Sequence, residues 1–289
     1  MILRNYRFAG LEFAVSMPEE MVYENEYRLA PFRTEETEDP FLLSFQKVKE
    51  LIPPSGTCMV SKPYLCIYQE GEDQTRYAGT PRRSVPVECQ RIALRGKTID
   101  VQLLEDQFPG RIGIKPVLES MMLEHLLVRS CGFIFHCAYI DWNGKAILFT
   151  APSETGKSTQ AELWKQYRNA QIINGDRAAV RIVGDTVVAE GIPFSGSSNY
   201  CENKSLPIQA IVYLGQAPVT TVRKLRGYEA FSKIWEGISV NTWDREDMEK
   251  AADTVMAVAK RVPVYHMPCT PDEAAVEALE QELRKLVTE

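Results

Sequence analysis

Through the first 110 or so positions the apolar residues come in short runs, among them YRFAGLEFAV, YLCIYQ and TIDVQLL, separated by stretches rich in proline, glycine and charge such as IPPSG, EGEDQ and GTPRRSVP. Short runs with breakers between them are strand patterns, so residues 1–110 are expected to form a β-rich portion, either integral to the main domain or separate from it. The period then changes. In PVLESMMLEHLLVRS, the residues Leu118, Met121, Met122, His125, Leu126 and Val128 recur at near-helical spacing, which predicts one buried helix. His125 lies on its apolar side, where a core histidine is the expectation rather than a ligand.

In GFIFHCAYIDWNGKAILFTA two β-type runs, 132–141 and 145–150, meet at Asn143-Gly144. A two-residue type I′ hairpin prefers that pair because both positions need φ > 0. The second run is therefore predicted to pair antiparallel with the first, whereas a doubly wound nucleotide-binding sheet reaches its strand by a helical crossover. Further on, the pattern predicts a helix over 157–168, the strands QIIN, AAVRIV and TVVAEG, a Ser/Gly/Asn-rich loop IPFSGSSNYCENKS, and the strands IQAIVYL and VTTVRKL. Helices around 227–237 and 244–260, the strand VPVYHM and a last helix complete it. Thr270-Pro271-Asp272-Glu273 opens that helix as a capping box with proline at the first helical position, and Val276, Leu279, Leu283 and Leu286 give it one apolar stripe.

Composition narrows the class without changing that picture. With 289 residues, 45% hydrophobic and 25% charged, the chain has the make-up of a globular protein and is long enough for one large or two modest domains. No apolar run reaches the roughly 18 residues needed to span a bilayer, and MILRNYRFAGLEFAV scatters charges where a signal peptide needs a continuous apolar region. A cytoplasmic protein without a membrane partner is expected. The net charge of −6, with no basic tract, disfavours nucleic acid as a partner. Seven cysteines without a C-x-x-C pair fit reduced thiols, and three histidines offer few ligands for zinc.

The candidate chemistry lies in AILFTAPSETGKSTQAELW. Phosphate binding needs converging backbone N–H groups, a helix N-terminus and a cation. Gly156 lets the backbone approach, Lys157 is placed to reach the terminal phosphates and Ser158 to hold Mg²⁺, directly after a β run and directly before a helical one. Ala151 and Glu154 are unusual in such a loop. If position 154 needs φ > 0, glutamate costs about 1–2 kcal/mol relative to glycine, and its charge repels phosphate. For Asp176, at the end of IINGD, two readings stand: a carboxylate for the metal, or only a turn residue in Asn-Gly-Asp. His136 likewise either borders the loop or is a half-buried strand histidine. Lys204, in the Ser/Gly/Asn-rich loop, either holds an anionic acceptor or is solvated.

The stretch from His136 to about Leu214 resembles the kinase domain of the HPr kinase/phosphorylase family. The likeness rests on the hairpin into the loop, Ile-Ile-Asn-Gly-Asp, Pro193-Phe194-Ser195-Gly196, and Leu206-Pro207-Ile208 before a strand. That family shares its fold with phosphoenolpyruvate carboxykinase and has small relatives that phosphorylate serine or peptides. The resemblance implies an α/β (α+β) domain over 111–289, a mixed, largely antiparallel sheet flanked by helices and carrying a P-loop. It implies ATP-type nucleotide at Ser153, Glu154, Thr155, Gly156, Lys157, Ser158 and Thr159, Mg²⁺ at Ser158 and Asp176, and His136 near the phosphoryl site. Two departures matter. The family usually has glycine or a small residue where Glu154 stands, and an Asp-Asp pair where this chain has Gly175-Asp176, which leaves the base toward the acceptor to His136 or to Asp176 through water. The expectation is a Mg²⁺-dependent kinase acting on a hydroxyl of a small molecule, peptide or protein, with Lys157, Asp176 and His136 catalytic. The alternative is a nucleotide-binding sensor or scaffold without turnover, and a third reading is an interaction domain with an accidental Gly-Lys-Ser. Self-association is left open.

Overall fold

The structure is a computed structural model that describes residues 1–22, 26, 28–80, 83–93, 95–196, 198 and 200–288. Pro81 and Arg82 of the predicted turn-rich GTPRRSVP, and Ser197 and Asn199 of the predicted loop IPFSGSSNYCENKS, lie outside the described residues. The chain divides into two compact units, Met1–Met122 and Leu123–Glu289.

The first unit is built on a sheet that has nine strands among the described residues. They are β1 (Ile2–Phe8), β2 (Leu11–Met17), β3 (Arg33–Thr34), β4 (Phe41–Val48), β5 (Thr57–Lys62), β6 (Leu65–Glu70), β7 (Asp73–Thr80), β8 (Arg83–Ala93) and β9 (Thr98–Leu104), in the order β3-β1-β2-β4-β9-β8-β7-β6-β5. Among the described residues only β2/β4 and β4/β9 run parallel. The run YRFAGLEFAV is not one strand: it folds back at Ala9 (φ 51°) and Gly10 (φ 65°), the two left-handed positions of a tight hairpin. Helix α1 (Ile114–Ser120) closes the unit. The single helix expected across this region is two, because Met122 takes φ 53° and interrupts the ladder before α2 (Leu123–Arg129).

After α2 the second unit continues with β10 (Gly132–His136), β11 (Ala138–Trp142), β12 (Lys145–Thr150), α3 (Lys157–Arg168), β13 (Gln171–Asn174), β14 (Arg177–Val183), β15 (Thr186–Glu190) and β16 (Ser205–Gln216). It ends with β17 (Arg223–Leu225), α4 (Gly227–Trp235), β18 (Ile238–Ser239), α5 (Arg245–Arg261), β19 (Val264–Cys269) and α6 (Glu273–Thr288). The sheet runs β13-β11-β12-β16-β15-β14-β10-β18, with β19 on the far half of β16 and β17 on β19. Among the described residues β12/β16 and β16/β19 are its parallel pairs and the rest are antiparallel, so the architecture is α+β with mostly antiparallel sheets. Side chains alternate between two layers. Ala146, Leu148 and Ile211 go to one with Ala230 and Ile234 of α4 and Val255 and Val258 of α5. Ile147, Phe149 and Val212 go to the other with Trp164 of α3 and Val276, Leu279 and Leu283 of α6. Helices thus cover both faces, which is why the strands read as near-continuous apolar runs.

Three boundaries differ from the pattern. The run 132–141 breaks at Cys137, between β10 and β11. There the backbone leaves one set of neighbours for another: His136 N donates to Gly237 O at 2.7 Å and Cys137 N to Asp176 O at 3.0 Å. The strand expected over VTTVRKL is only Arg223–Leu225, since Thr221 N and the Thr220 hydroxyl are tied to Pro268 and Thr270. The last helix starts at Glu273, so Pro271 precedes it; the Thr270 hydroxyl bonds Asp272 and Thr220 instead of capping. No helix among the described residues is long and apolar enough to cross a membrane.

Candidate functional site

The break at Cys137 sets up the site, because three chain segments end beside it. Asn143 (φ 54°) and Gly144 (φ 78°) turn β11 into β12, pairing Ala138 with Phe149, so the end of β12 returns to the break. There the Thr150 hydroxyl donates to His136 O at 2.9 Å. On the other flank β13 pairs Asn174 with Tyr139, which delivers the turn 174–177 to the same place.

The loop 151–156 leaves β12 with Ala151 buried in the core. Two of its residues are left-handed, Glu154 at φ 64° and Gly156 at φ 114°. Glu154 is exposed and pays the backbone cost that glycine would avoid. Relief of about 1–2 kcal/mol, less the 0.4–1 kcal/mol by which a glycine loosens the unfolded chain, leaves a net gain. Glu154→Gly is therefore expected to stabilise the protein by about 0.5–1 kcal/mol. Glu154→Ala, which keeps the Cβ, should gain nothing; urea unfolding of both variants checks this.

Gly156 is the N-cap of α3 and no side chain caps the helix. Its first N–H groups point into the loop. Ser153, Ser158 and Thr159 are exposed, and Thr155 is half-buried with its N–H on Pro152 O at 3.4 Å. Lys157 is 8% exposed, and its Nζ donates to Ala151 O at 3.0 Å and Pro152 O at 3.2 Å. Burial lowers the pKa of this ammonium from its ordinary value, while the negative charge of Asp176 pulls it back up. A cavity of about 560 Å³ opens beside the loop, lined by Thr155, Gly156 and Thr159 together with Gln160, Gln216 and Thr270. Gln160 is 2% exposed; its Nε2 donates to Cys269 Sγ at 3.3 Å and its Oε1 has no hydrogen-bond partner among the described residues.

His136 and Asp176 are brought together, with Nε2 3.3 Å from Oδ1. The other carboxylate oxygen takes Arg177 Nε at 3.1 Å. The His136 hydrogen bond, helped by the Arg177 charge, holds the Asp176 carboxyl below the usual carboxylate range against the push of burial. The half-exposed His136 projects away from its neighbours Phe135 and Cys137, both fully buried in one core layer. Ser158 and Asp176, expected to share a metal, are not joined by a hydrogen bond among the described residues, since Asp176 is turned to His136 and Arg177.

Sequence reasoning missed Asn174. It is fully buried, its Nδ2 donates to Ile192 O and Phe194 O, both at 3.1 Å, and its Oδ1 accepts the N–H groups of Asp176 and Arg177, both at 3.0 Å. One amide thus fixes the turn and straps the loop after β15 over it. The signal was the Asn-Gly-Asp turn, but the capping belongs to Asn174, leaving the Asp176 carboxylate free of that task. The strap bears on the site at Gly196, where a Cβ would lie 2.8 Å from Asp176 Oδ2, and its φ of 54° also favours glycine. At Gly175 a Cβ would meet Ser198 Oγ at 2.3 Å, which is why a second aspartate has no room there. Lys204 is committed elsewhere, its Nζ on Asp141 Oδ2 at 2.5 Å and Gln171 Oε1 at 3.0 Å.

His125 is a buried core histidine, as expected, and its partners come from α5 and the segment before it. The ligand atoms of His125, Asp244 and Asp247 lie within 4.8 Å of one another. The pair His125 Nδ1 and Asp247 Oδ2 is 2.6 Å apart, both side chains are fully buried, and Asn241 and Arg129 complete the surroundings. With a guanidinium nitrogen 3.3 Å from Asp247 Oδ1, this is a filled charge cluster rather than a place for a cation.

No family model matches the chain, and no curated protein matches it in sequence. Among solved structures it is similar to the HPr(Ser) kinase/phosphatase from Coxiella burnetii, at 12% identity and a TM-score of 0.34, over 54% of this chain and 99% of that one. This is a weak, fold-level likeness.

Proposed function

We propose that the second unit is a nucleotide-dependent phosphotransferase that moves a terminal phosphoryl group to a hydroxyl of a small molecule, peptide or protein. The reading is supported by one convergence: the uncapped start of α3, with Lys157 buried on two neutral carbonyls, beside the His136–Asp176 pair. A buried ammonium without a direct anionic partner, next to unpaired N–H groups, suits a phosphate. Lys157 and the backbone of 154–158 would hold the phosphates, with the nucleoside in the cavity beside the loop. Mg²⁺ supplies charge neutralisation between phosphate oxygens in such chemistry. Ser158 and Asp176 fit it by donor type, with Asp176 exchanging the exposed Arg177. His136, oriented through Nε2 by Asp176, would take the acceptor's proton, so the missing first aspartate is not needed as base.

Calorimetric titration with ATP and Mg²⁺ tests the site. The native protein is expected to bind, and Lys157→Ala to lose about a hundredfold or more in affinity, as follows from deleting a charge-assisted contact to phosphate. No binding up to millimolar ATP rejects the proposal. Binding that persists in Lys157→Ala places nucleotide elsewhere. Nucleotide bound without transfer to serine, seryl peptides or water would favour a sensor, the reading to which the double engagement of Asp176 lends weight.

A further inference from the structure

In the second unit a half-open groove of about 740 Å³ runs between the end of β17, the first turn of α4 and the passage from α5 into β19. Its floor is apolar, made of Leu225, Phe231, Val262 and Val264. Two cations stand on each wall, Lys224 and Arg226 on the strand side, Lys260 and Arg261 at the end of the helix. All four are exposed, no acidic residue lines the groove, and none of the four has an ion-pair partner among the described residues. Nearby Arg223 differs, being paired with Glu229 at 2.9 Å. At the rim Tyr228 is 81% and Met256 46% exposed, large apolar side chains left in water.

We propose that this groove docks an acidic peptide segment of a partner protein, with apolar side chains on the floor and carboxylates against both walls. The size lies within the roughly 300–1,000 Å³ of ligand-holding clefts. Tyrosine, methionine and arginine are the residues enriched where proteins meet, and an apolar centre ringed by charge is the anatomy of such a surface. The charge distribution decides the occupant. A single-headed amphiphile would neutralise one wall and leave the other unmet, whereas a segment with several carboxylates meets both. The groove shares no residue with the loop 151–159, His136 or Asp176, so the inference stands independently of the phosphotransferase reading.

The test is fluorescence anisotropy on the full chain. The probe is a fluorescein-labelled pool of ten-residue peptides that alternate leucine or phenylalanine with aspartate or glutamate; the control is the same pool with lysine and arginine as its charged residues. The acidic pool is expected to bind at least about tenfold tighter than the control, and to weaken steeply with salt. The double variant Lys224→Glu, Lys260→Glu should weaken it about tenfold or more, and Tyr228→Ala several-fold, with circular dichroism and thermal unfolding unchanged since all three sites are exposed. Four results overturn the proposal: no saturable binding at millimolar acidic pool, equal binding of both pools, binding unaffected in the folded double variant, or tighter binding of laurate, which would assign the groove to a small amphiphile.

Discussion

Asp247→Ala is expected to lower the free energy of unfolding by about 3–5 kcal/mol. The side chain is fully buried, accepts hydrogen bonds from His125 Nδ1 at 2.6 Å and Asn241 Nδ2 at 3.1 Å, and forms an ion pair with Arg129, whose Nε lies 3.3 Å from Oδ1 without a hydrogen bond. Its removal strands polar groups already taken out of water, and a stranded buried group costs more than an average hydrogen bond contributes. Part of the cluster is unmet even now, since His125 Nε2, Arg129 Nε and Asp247 Oδ1 have no hydrogen-bond partner among the described residues. The effect should follow pH. Burial by itself pushes the Asp247 carboxyl up, but the hydrogen bond and charge of His125, with Asn241 and Arg129, outweigh it and leave the pKa below the ordinary value. A group depressed in the folded state contributes stability that is fully present above its unfolded pKa, about 3.9, and is lost as pH falls through the folded one. Urea unfolding should show the gap between native protein and variant intact at neutral pH and shrinking below about pH 4. A gap that stays constant down to pH 2 would mean that folding does not depress the Asp247 pKa, and a gap that widens on acidification would mean that the carboxyl is protonated in the fold. Replacing His125 and Asp247 together by leucine should cost less than the sum of the single losses, because neither partner is then stranded.

That cluster also marks where the sequence stops being legible. Spacing put His125 on the apolar side of a helix, correctly, but its partner lies 122 positions away on α5, and periodicity carries no information about such a pairing. The same limit explains Asn174, whose amide joins its own turn to Ile192 and Phe194 across a loop. Local chemistry read better. The Asn-Gly hairpin, α3 and the strands QIIN and AAVRIV lie where pattern and turn residues put them, because each is decided within a few residues. The break at Cys137 could not be read locally: the run 132–141 stays apolar through it, and the change of partner is imposed by Gly237 O and Asp176 O.

The unusual residues of the loop separate into backbone and charge effects. Ala151 costs nothing, being packed in a core layer. Glu154 holds a left-handed position with its carboxylate at an exposed site, so its burden falls on backbone strain more than on repulsion of a bound anion. Gly175 is a matter of space, since Ser198 fills the volume that a second aspartate would take. On the proposed reading, the carboxylate chemistry at this end of the sheet rests on Asp176.

On the proposed phosphotransferase reading, Asp176→Asn is expected to reduce phosphoryl transfer by about 10²–10⁴-fold, the range for disabling a positioned proton-transfer group, here the His136 that Asp176 orients, while changing stability by less than about 1 kcal/mol. The small stability term follows from exposure: Asp176, His136 and Arg177 are 25%, 39% and 42% exposed, so water screens the pair. The large catalytic term follows from orientation. Asparagine keeps the shape of the turn, whose capping belongs to Asn174, but an amide no longer presents a carboxylate oxygen to His136 Nε2 or offers two anionic oxygens to a metal. Because His136 and Arg177 hold the Asp176 carboxyl below the ordinary range, its contribution to stability is present above about pH 3.9 and vanishes as pH falls through the folded value. The experiment is single-turnover transfer from labelled ATP, to serine, seryl peptides and water, with ATP affinity measured in parallel. Retained affinity with lost transfer assigns Asp176 to the reacting group. Affinity lost in step with transfer assigns it to holding the nucleotide and metal. Unchanged transfer would reduce Asp176 to a turn residue and take His136 out of the chemistry with it, since Asp176 is what aims that imidazole.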